Sequence, residues 1–311
     1  MTAFVVVNPR SANGRTGRDW SGIETKLRAI YPHMSVAFTK ERGQATALVR
    51  AALLEGHSEI VAVGGDGTIN EAVNGMFDAG GAINPDAVFA FVTSGTGGDF
   101  RKTFGIEAGV DAALERIKAA SVRKCDVGRV SCVSGEGKPV MRYFVNIASF
   151  GTSGLIVDSV NKAKIAKWFG GSFAFAFHSA LAMLKWKNVP VRLLADGVDQ
   201  VTTIATVAVA NGQYFGGGMR VAPGAWTSDG LFDLVVMGAS AKGANLSDLK
   251  LIYTGEHIHQ PHVSVLHAQR VVAAPVAETR GRPVLIETDG ESAGRLPATF
   301  EILPGALNLR C

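Results

Sequence analysis

The residues best suited to chemistry in this chain form a glycine-rich turn, Gly64–Thr68 (GGDGT), between an apolar run and a segment of helical character. Backbone N–H groups that no side chain covers can bind phosphate oxygens. A carboxylate beside such oxygens would repel them unless a divalent cation lay between. We therefore predict that Asp66 organises Mg²⁺ over a backbone phosphate cradle. The alternative is an ordinary tight turn in which Asp66 caps the following helix.

Two further acids stand at Asp289-Gly290-Glu291, directly after a strand-like run. Phosphoryl transfer needs a base within hydrogen-bond reach of the attacking hydroxyl, and a carboxylate can serve as that base. The residue pattern alone does not show which of Asp289 and Glu291 acts as the base. The alternative interpretation is an exposed hairpin turn with no chemical role.

The elements around the first turn alternate between strand-like and helix-like segments. Short apolar runs predict strands at Phe4–Asn8, Ser35–Phe38, Ile60–Val63 and Val88–Val92. Helical periodicity lies at Arg18–Ile30, Gln44–Leu54, Thr68–Phe77 and Val110–Ala120. This alternation predicts an open parallel α/β sheet, and the lack of polar alternation in the strands indicates that both faces are covered.

Three polar loops follow strands of this predicted sheet, at Asn8–Gly17, Gly64–Thr68 and Thr93–Phe100. Because ligands bind beyond the carboxyl ends of the strands in open α/β sheets, we expect these loops to converge on one crevice. The Gly-Lys pair at 137–138 is followed by Pro, so the chain has no Walker A motif, and no G-x-G-x-x-G opens a helix. These absences weigh against a P-loop enzyme and a dinucleotide dehydrogenase.

From about Cys125 the sequence predicts a second, β-rich domain. Strand-like runs separated by turns lie at Arg142–Ile147, Val191–Ala195, Val201–Ala210, Leu231–Val236, Val263–Val272 and Val284–Glu287. The largest helical insertion is Val157–Lys187. We predict domains at residues 1–124 and 125–293, with residues 294–311 packing back on the first domain.

The composition is typical of a protein from a reducing, aqueous compartment. The 311 residues are 47% hydrophobic and 19% charged, and the net charge of +4 favours anionic partners without choosing among them. Three cysteines, Cys125, Cys132 and Cys311, form no CxxC pair and are interpreted as free thiols. The N-terminus lacks a basic n-region, and the longest apolar stretch, Ser172–Leu184, is too short to span a bilayer. We expect a cytoplasmic protein, with peripheral membrane contact left open.

The motifs together resemble the diacylglycerol kinase catalytic domain family, which includes bacterial diacylglycerol and multi-lipid kinases and the sphingosine and ceramide kinases. GGDGT with INEAVNG carries the resemblance, VVNPRSANG is similar to the family's Asn-Pro-x-Ser-Gly loop, and SGTGGDFRKTFGI to its Gly-Thr-x-Asn-Asp-Phe-Ala loop. The later blocks match in order: DVGRV, YFVNIASFGTSG, VANGQYFGGGMRVAPGAWTSDGLFDLVVM and IETDGESAGRLPATFEILPGAL. This series covers nearly the whole chain and is more specific than GGDGT alone, because NAD kinases and phosphofructokinases use a related turn.

The resemblance implies a fold and a set of residue roles. The fold would be an NAD kinase- or phosphofructokinase-like α/β nucleotide-binding domain followed by a β-sandwich-like domain. ATP would contact Asn8, Ser11, Thr39, Gly64, Gly65, Asp66, Gly67, Thr68, Glu71 and Thr96. Asp66 would help to organise the catalytic Mg²⁺, and Glu291 would be the general base that deprotonates the lipid hydroxyl. The Asp229 carboxylate and the main-chain oxygens of Trp226 and Leu231 would hold a structural Mg²⁺.

The predicted function is an ATP- and Mg²⁺-dependent lipid kinase that acts in the cleft between the domains, with a diacylglycerol-like substrate favoured. One alternative is an NAD-kinase-type enzyme with a soluble acceptor, against which the DGE and SDGLFD blocks argue. Another is a lipid- or nucleotide-binding regulatory protein without turnover, against which Asp66, Asp229 and Glu291 argue. The chain has no sustained basic stripe and no recognition motif for nucleic acid. The identity of the lipid and the oligomeric state, a homodimer included, are left open.

Two sites depart from the family's pattern. Gly98 stands where the family usually has Asn, and Ala12-Asn13 stand where Gly and a basic residue are common. The missing side chain at position 98 removes a hydrogen bond to the nucleotide or within the turn. The change bears on nucleotide affinity rather than on the type of reaction.

Two further segments have more than one interpretation. The imidazoles His257, His259, His262 and His267 could suggest zinc, but their spacing fits no zinc pattern, and ordinary packing is expected. Asn161–Lys187 interleaves lysines with aromatic residues. Such a pattern is typical of an amphipathic core helix, which is the favoured interpretation, but also of contact with an anionic membrane surface or of a lipid-tail pocket.

Overall fold

A computed structural model describes residues 2–93, 98–119, 121–155, 188–238, 246–276 and 283–311. The chain folds into two compact units. The first comprises Met1–Val127 and Pro304–Cys311, and the second comprises Gly128–Leu303. The insertion predicted at Val157–Lys187 lies outside the described residues. None of the helices in the described ranges combines the length and the apolar character that crossing a bilayer requires.

The first unit alternates strands and helices, as the sequence predicts. Its elements are β1 (Ala3–Val7), α1 (Arg15–Arg18), α2 (Trp20–Ile30), β2 (Ser35–Phe38), α3 (Gln44–Leu54), β3 (Glu59–Val63), α4 (Asp66–Met76), the short hairpin β4 (Phe77–Asp78) and β5 (Gly81–Ala82), β6 (Val88–Val92), α5 (Asp99–Thr103) and α6 (Val110–Ala119). β6, β3, β1 and β2 lie side by side in parallel. Every residue of β1 and β3 is buried, because helices cover both faces of the sheet.

The second unit is built mainly of strands. Its elements are β7 (Val122–Val133, which begins in the first unit), β8 (Pro139–Phe144), β9 (Ile147–Gly151), β10 (Val189–Ala195), β11 (Val198–Ala210), β12 (Phe232–Gly238), α7 (Leu246–Thr254), β13 (Val263–Ala268), β14 (Arg270–Pro275), β15 (Leu285–Thr288) and β16 (Glu291–Arg310, which ends in the first unit). All the strand pairs within this unit that have a determined register are antiparallel.

Two long strands close the sheet of the second unit into a ring. β11 pairs with β10 through its first half and with β9 through its second half, and β16 pairs with β15 and then with β14. β9 also pairs with β15, and β10 with β14, so the ladder returns to its start. The largest core cluster includes Phe150, Leu193, Phe232 and Phe300 from these strands and from β12. Burying such side chains is the main force that stabilises this unit.

The last strand, β16, begins in the second unit and ends in the first. Its residues Ala298–Glu301 pair with β14 of the second unit, whereas Asn308 and Leu309 pair in parallel with β6 of the first. The sequence places the change of domain after residue 293, and in the structure the units divide between Leu303 and Pro304. The division falls at the dipeptide Pro304-Gly305, a local signal of a change in chain direction, although the strand assignment continues through it.

Candidate active site

The Gly64–Thr68 turn joins the buried strand β3 to helix α4. Gly65 is the N-cap residue in an extended conformation, and Asp66 is the first helical residue. The alternative in which Asp66 itself caps α4 is therefore wrong, because the extended glycine occupies that position. A Cβ on Gly64 would lie 2.4 Å from Thr68 Oγ1, whereas a Cβ on Gly65 would meet no atom within 4 Å. The turn thus needs Gly64 for its own closure and leaves open space in front of Gly65.

The loop after β1 lies directly against this turn. The Asn8 amide N–H donates to the Val63 carbonyl at 2.9 Å, and Asn8 Nδ2 donates to Thr68 Oγ1 at 3.1 Å. Ser11 Oγ donates to the Asn8 carbonyl at 2.9 Å, and lies 2.6 Å from Thr16 Oγ1. These bonds bring together three of the predicted nucleotide contacts, from two loops 60 residues apart.

The same loop contains the first departure from the family pattern. Ala12 and Asn13 adopt φ values of 50° and 56°, in the left-handed region that favours glycine. Asn tolerates this conformation, but for Ala it costs roughly 1–2 kcal/mol. The backbone therefore keeps the shape that a glycine at position 12 would suit, although this chain has Ala there.

Thr39 follows β2, and Glu71 lies in α4, the helix that begins at the turn. Thr39 is buried, and its amide donates to the Val7 carbonyl at 2.8 Å, so it lies at the carboxyl edge of the sheet. Both carboxylate oxygens of Glu71 accept backbone amides at the start of α3, from Gly43 at 2.8 Å and from Ala45 at 3.1 Å. Such bonds satisfy amides that a helix leaves unpaired at its N-terminus. No local pattern around Glu71 indicates this capping role.

A second acid adjoins Asp66. The Asp99 amide, at the start of α5, donates to Asp66 Oδ2 at 3.2 Å. The Asp99 carboxylate is buried and accepts a bond from Lys102 Nζ at 3.0 Å. Asp99 was not predicted as a site residue, although it stands in the GGDF part of the third polar loop. Thr96 of the same loop lies outside the described residues.

The residues present fit a Mg²⁺ ion bound together with phosphates. Mg²⁺ takes oxygen ligands and commonly binds proteins through one or two carboxylates, while substrate phosphates and waters fill its other positions. Asp66 supplies such a carboxylate next to Gly65, and its Oδ2 accepts the Asp99 amide. Among the described residues, no group of three or more His, Cys, Asp or Glu side chains could hold a metal without such a substrate.

The two acids of the Asp289–Glu291 segment differ in their contacts. Asp289 and Gly290 adopt φ values of 48° and 83° and form a two-residue hairpin turn between the paired residues Thr288 and Glu291. The Asp289 carboxylate accepts three backbone amides at 3.0 Å, from Val145, Asn146 and Ile147. The hairpin turn of the alternative interpretation is present, but Asp289 bonds it to the two residues before β9 and to Ile147, the first residue of β9.

A buried acid that the sequence did not reveal lies behind this hairpin. Glu287 Oε2 accepts the Gly290 amide at 2.8 Å, and Oε1 is bonded to Ser149 Oγ. The pKa of Glu287 is raised to about 7, mainly by burial and in a smaller part by the Asp289 charge, while the bonds from Ser149 and Gly290 act to lower it. The run LIET alone does not indicate this burial, because nothing local shows that Ser149 of the paired strand β9 lies directly opposite Glu287.

The loop predicted to hold a structural Mg²⁺ is exposed at Asp229, whose Oδ1 accepts the Leu231 amide at 3.0 Å. The side chain of Trp226 is also exposed. An indole has no oxygen, so this residue would contribute only its main-chain oxygen. Carboxylate and carbonyl oxygens are a suitable donor set for Mg²⁺. A neighbouring acid, Asp233, is buried; burial raises its pKa, and His267, 3.4 Å away, lowers it.

The other conspicuous histidine is structural. His257 is buried, and its Nε2 lies 3.0 Å from the Val221 carbonyl oxygen. Burial lowers the pKa of His257, so the neutral imidazole is favoured. Its contacts are those of a packed side chain.

Comparisons with known proteins agree with this arrangement. Residues 2–130 match the family model of the diacylglycerol kinase catalytic domain, and residues 146–311 match that of the YegS C-terminal NAD kinase beta sandwich-like domain. A protein named diacylglycerol kinase from Mycobacterium tuberculosis is 25% identical over 307 residues, covering 98% of this chain and 93% of the relative. One from Staphylococcus carnosus is 27% identical over 303 residues, covering 96% and 91%.

Solved structures share the fold. The crystal structure of a candidate diacylglycerol kinase from Bacillus anthracis matches with a TM-score of 0.76 and 23% identity, covering 99% of this chain and 96% of that one. Yeast NADH kinase matches with a TM-score of 0.52 and 10% identity, covering 99% and 82%.

The two family models follow one another in the order of the two units and together cover nearly all residues. The fold class predicted from the sequence, an α/β unit followed by a β-sandwich-like unit, is confirmed. The chain is an enzyme that belongs to the diacylglycerol kinase family of lipid kinases.

Proposed function

We propose that this chain transfers the γ-phosphate of ATP to a hydroxyl group of a diacylglycerol-like lipid in a Mg²⁺-dependent reaction. The observation that carries the proposal is the Gly64–Thr68 turn at the start of α4. It combines a helix N-terminus, open space at Gly65 and the carboxylate of Asp66. The names of the curated relatives support the choice of lipid.

The nucleotide would bind the loops of the first unit. The partial positive charge at the N-terminus of α4 and the uncovered amides of the turn attract phosphate oxygens. Asn8 is bonded to Thr68 of the turn, and Ser11 is bonded to Asn8. Thr39 lies at the carboxyl edge of the same sheet, and Glu71 lies in α4, the helix that begins at the turn. We include Thr96 from the sequence alone.

Asp66 would hold the catalytic Mg²⁺ beside the phosphates. When bound, the ion neutralises the charge that develops on the transferred group. A structural Mg²⁺ would be held separately by Asp229 with the main-chain oxygens of Trp226 and Leu231. The two metal proposals are independent, since one concerns the first unit and the other the second.

Glu291 would be the general base. As the lipid oxygen forms its bond to the γ-phosphorus, its proton passes to the Glu291 carboxylate, the bond from phosphorus to the β–γ bridging oxygen breaks, and ADP leaves. Asp289 is already bonded to three amides. We therefore assign positioning to Asp289 and proton transfer to Glu291, a division that the sequence left open.

The enzyme would meet its lipid at an anionic membrane surface. The net charge of +4 favours such contact. The lysine- and aromatic-rich segment 161–187 is the candidate for it from the sequence, as the alternative to the favoured interpretation as an amphipathic core helix. Changing Lys162, Lys164 and Lys167 to Glu should lower binding to anionic vesicles about tenfold if that segment touches the membrane. Unchanged binding by a folded variant would remove the segment from the proposal.

The deciding experiment follows labelled γ-phosphate from Mg-ATP into a panel of lipids in mixed micelles. The parent and a Glu291→Ala variant are compared, with Glu301→Gln, on the same strand, as a control. We expect the parent and the control to produce labelled, phosphorylated diacylglycerol, and Glu291→Ala to produce none. Labelled NAD in a parallel tube without any labelled lipid would instead indicate an NAD-kinase-type reaction. Tight lipid binding without turnover would indicate a regulatory protein.

A further inference from the structure

The side chain of Glu287 joins three parts of the second unit. It extends from β15, accepts the amide of Gly290 in the hairpin turn at 2.8 Å, and is bonded to Ser149 of β9. Ser149 Oγ lies 2.8 Å from Ser153 Oγ. Glu287, Ser149 and Ser153 are all buried. A buried carboxyl group is costly unless it is fully hydrogen-bonded, so these bonds determine the position of the turn.

The serine chain can satisfy Glu287 in two ways. A hydroxyl has one hydrogen, so Ser149 cannot donate to Glu287 and to Ser153 at the same time. With an ionised Glu287, the single hydrogen of Ser149 is donated to the carboxylate. With a neutral Glu287, the carboxyl O–H donates to Ser149, and Ser149 donates to Ser153. Oε2 accepts the Gly290 amide in both states, so the turn keeps its bond.

We propose that Glu287 is a positioning residue for the general base: through the Gly290 amide and the Ser149 hydroxyl it holds the turn that carries Glu291. Glu291 is the next residue after Gly290 and the first of β16, so a displaced Gly290 displaces Glu291. Asp289 anchors the turn on its other side, at Val145–Ile147. The inference rests on the proposed function, because it takes Glu291 as the base.

The experiment compares Glu287→Gln and Glu287→Ala in the full chain. A glutamine can donate its N–H to Ser149 and accept the Gly290 amide, so it reproduces the bonds of the neutral acid. We expect Glu287→Gln to keep kcat within about threefold of the parent. In Glu287→Ala the turn loses two anchors, and kcat should fall about tenfold to hundredfold. The KM for ATP should change less than about twofold in both, since ATP is assigned to the first unit.

Two further variants keep the result interpretable if Glu287→Ala folds poorly. Ser149→Ala removes one anchor and leaves the Gly290 bond, so a smaller fall in kcat is expected at unchanged KM for ATP. Glu301→Gln changes an acid on the same strand that pairs with Arg129 and should keep the parent kcat. Amide hydrogen exchange adds a readout without substrate: exchange at Gly290 should quicken in Glu287→Ala, while Val145–Ile147 keep their protection.

The outcomes separate this inference from the proposed function. An unchanged kcat and unchanged Gly290 exchange in Glu287→Ala would overturn the positioning role. A loss in Glu287→Gln as large as in Glu287→Ala would also overturn it, because the bonds would then matter less than the charge. A parent that phosphorylates no lipid would overturn the proposed function, and the Gly290 exchange would still decide whether Glu287 holds the turn.

Discussion

Asn8 donates a hydrogen bond of 3.1 Å from its side-chain amide to the hydroxyl of Thr68, across 60 residues of sequence. The bond joins the loop after β1 to the first turn of α4. The side-chain oxygen of Asn8 accepts the Arg10 amide at 3.0 Å, which fixes the orientation of the Asn8 amide group. The two loops that are proposed to bind phosphates are therefore held at a fixed spacing before any nucleotide arrives.

This spacing can be tested with a double-mutant cycle. We expect Asn8→Ala and Thr68→Ala each to raise the KM for ATP about threefold to tenfold, because one loop can then move relative to the other. The coupling between the two changes should be about 1 kcal/mol. Asn84→Ala, which breaks only a local bond to the Asp86 amide, is the matched control. Additive effects at positions 8 and 68 would show that the bond plays no part in nucleotide binding.

We expect Glu71 to contribute mainly to the stability of the fold and only indirectly to nucleotide binding. Its carboxylate holds the Gly43 and Ala45 amides at the start of α3, so Glu71→Ala should lower the free energy of unfolding by about 1–2 kcal/mol. Denaturant unfolding measures this change. The KM for ATP should rise as well, because the loop that follows Thr39 loses its anchor. A KM that rises in Glu71→Gln without any loss of stability would instead point to direct contact with the nucleotide.

The sequence predicts the elements of the first unit well because their signals are local. The helix predicted at Gln44–Leu54 and the strand predicted at Val88–Val92 have those same limits in the structure. The tight turn after β3 is also predicted from local sequence, because several glycines around one acid indicate a turn of uncovered backbone. Each of these predictions needs only residues that are neighbours along the chain.

Long-range partners of the acids could not be predicted in this way. Glu71 is 28 residues from Gly43, and Glu287 is 138 residues from Ser149. Asp289 reads as a hairpin acid, but it anchors a segment more than 140 residues earlier. Which acids hold backbone and which face a ligand depends on the strand order, and the sequence of one strand does not contain that order.

Gly98 shows how a departure from the family pattern fits its surroundings. Its φ is 93°, and an added Cβ would lie 3.2 Å from the Arg101 side chain, which donates to the Ile106 carbonyl. We expect Gly98→Asn to cost about 1–2 kcal/mol of stability, since the arginine must move, and to give no gain in ATP affinity. Adding Arg101→Ala should recover part of the loss. Tighter ATP binding by Gly98→Asn alone would contradict this interpretation.

The pKa of Glu287 predicts a pH dependence of stability. In the unfolded chain the pKa is near 4.5, and in the folded protein burial raises it to about 7. The folded state therefore holds more protons between these values, so the contribution is fully present below pH 4.5 and is lost as pH rises through 7. The groups that face Glu287 are the Ser149 hydroxyl, the Gly290 amide and the Asp289 carboxylate, and among them only the last carries charge.

Glu287→Gln removes this titration and keeps the hydrogen bonds of the neutral acid. We expect the variant to be more stable than the parent at pH 8 by up to roughly 3 kcal/mol, with the difference shrinking toward pH 5. Denaturant midpoints measured from pH 5 to pH 8 would show this, with Glu301→Gln as the control on the same strand. A constant difference across that range would mean that Glu287 stays ionised in the fold. The serine chain would then have a single direction, with Ser149 donating to Glu287 throughout.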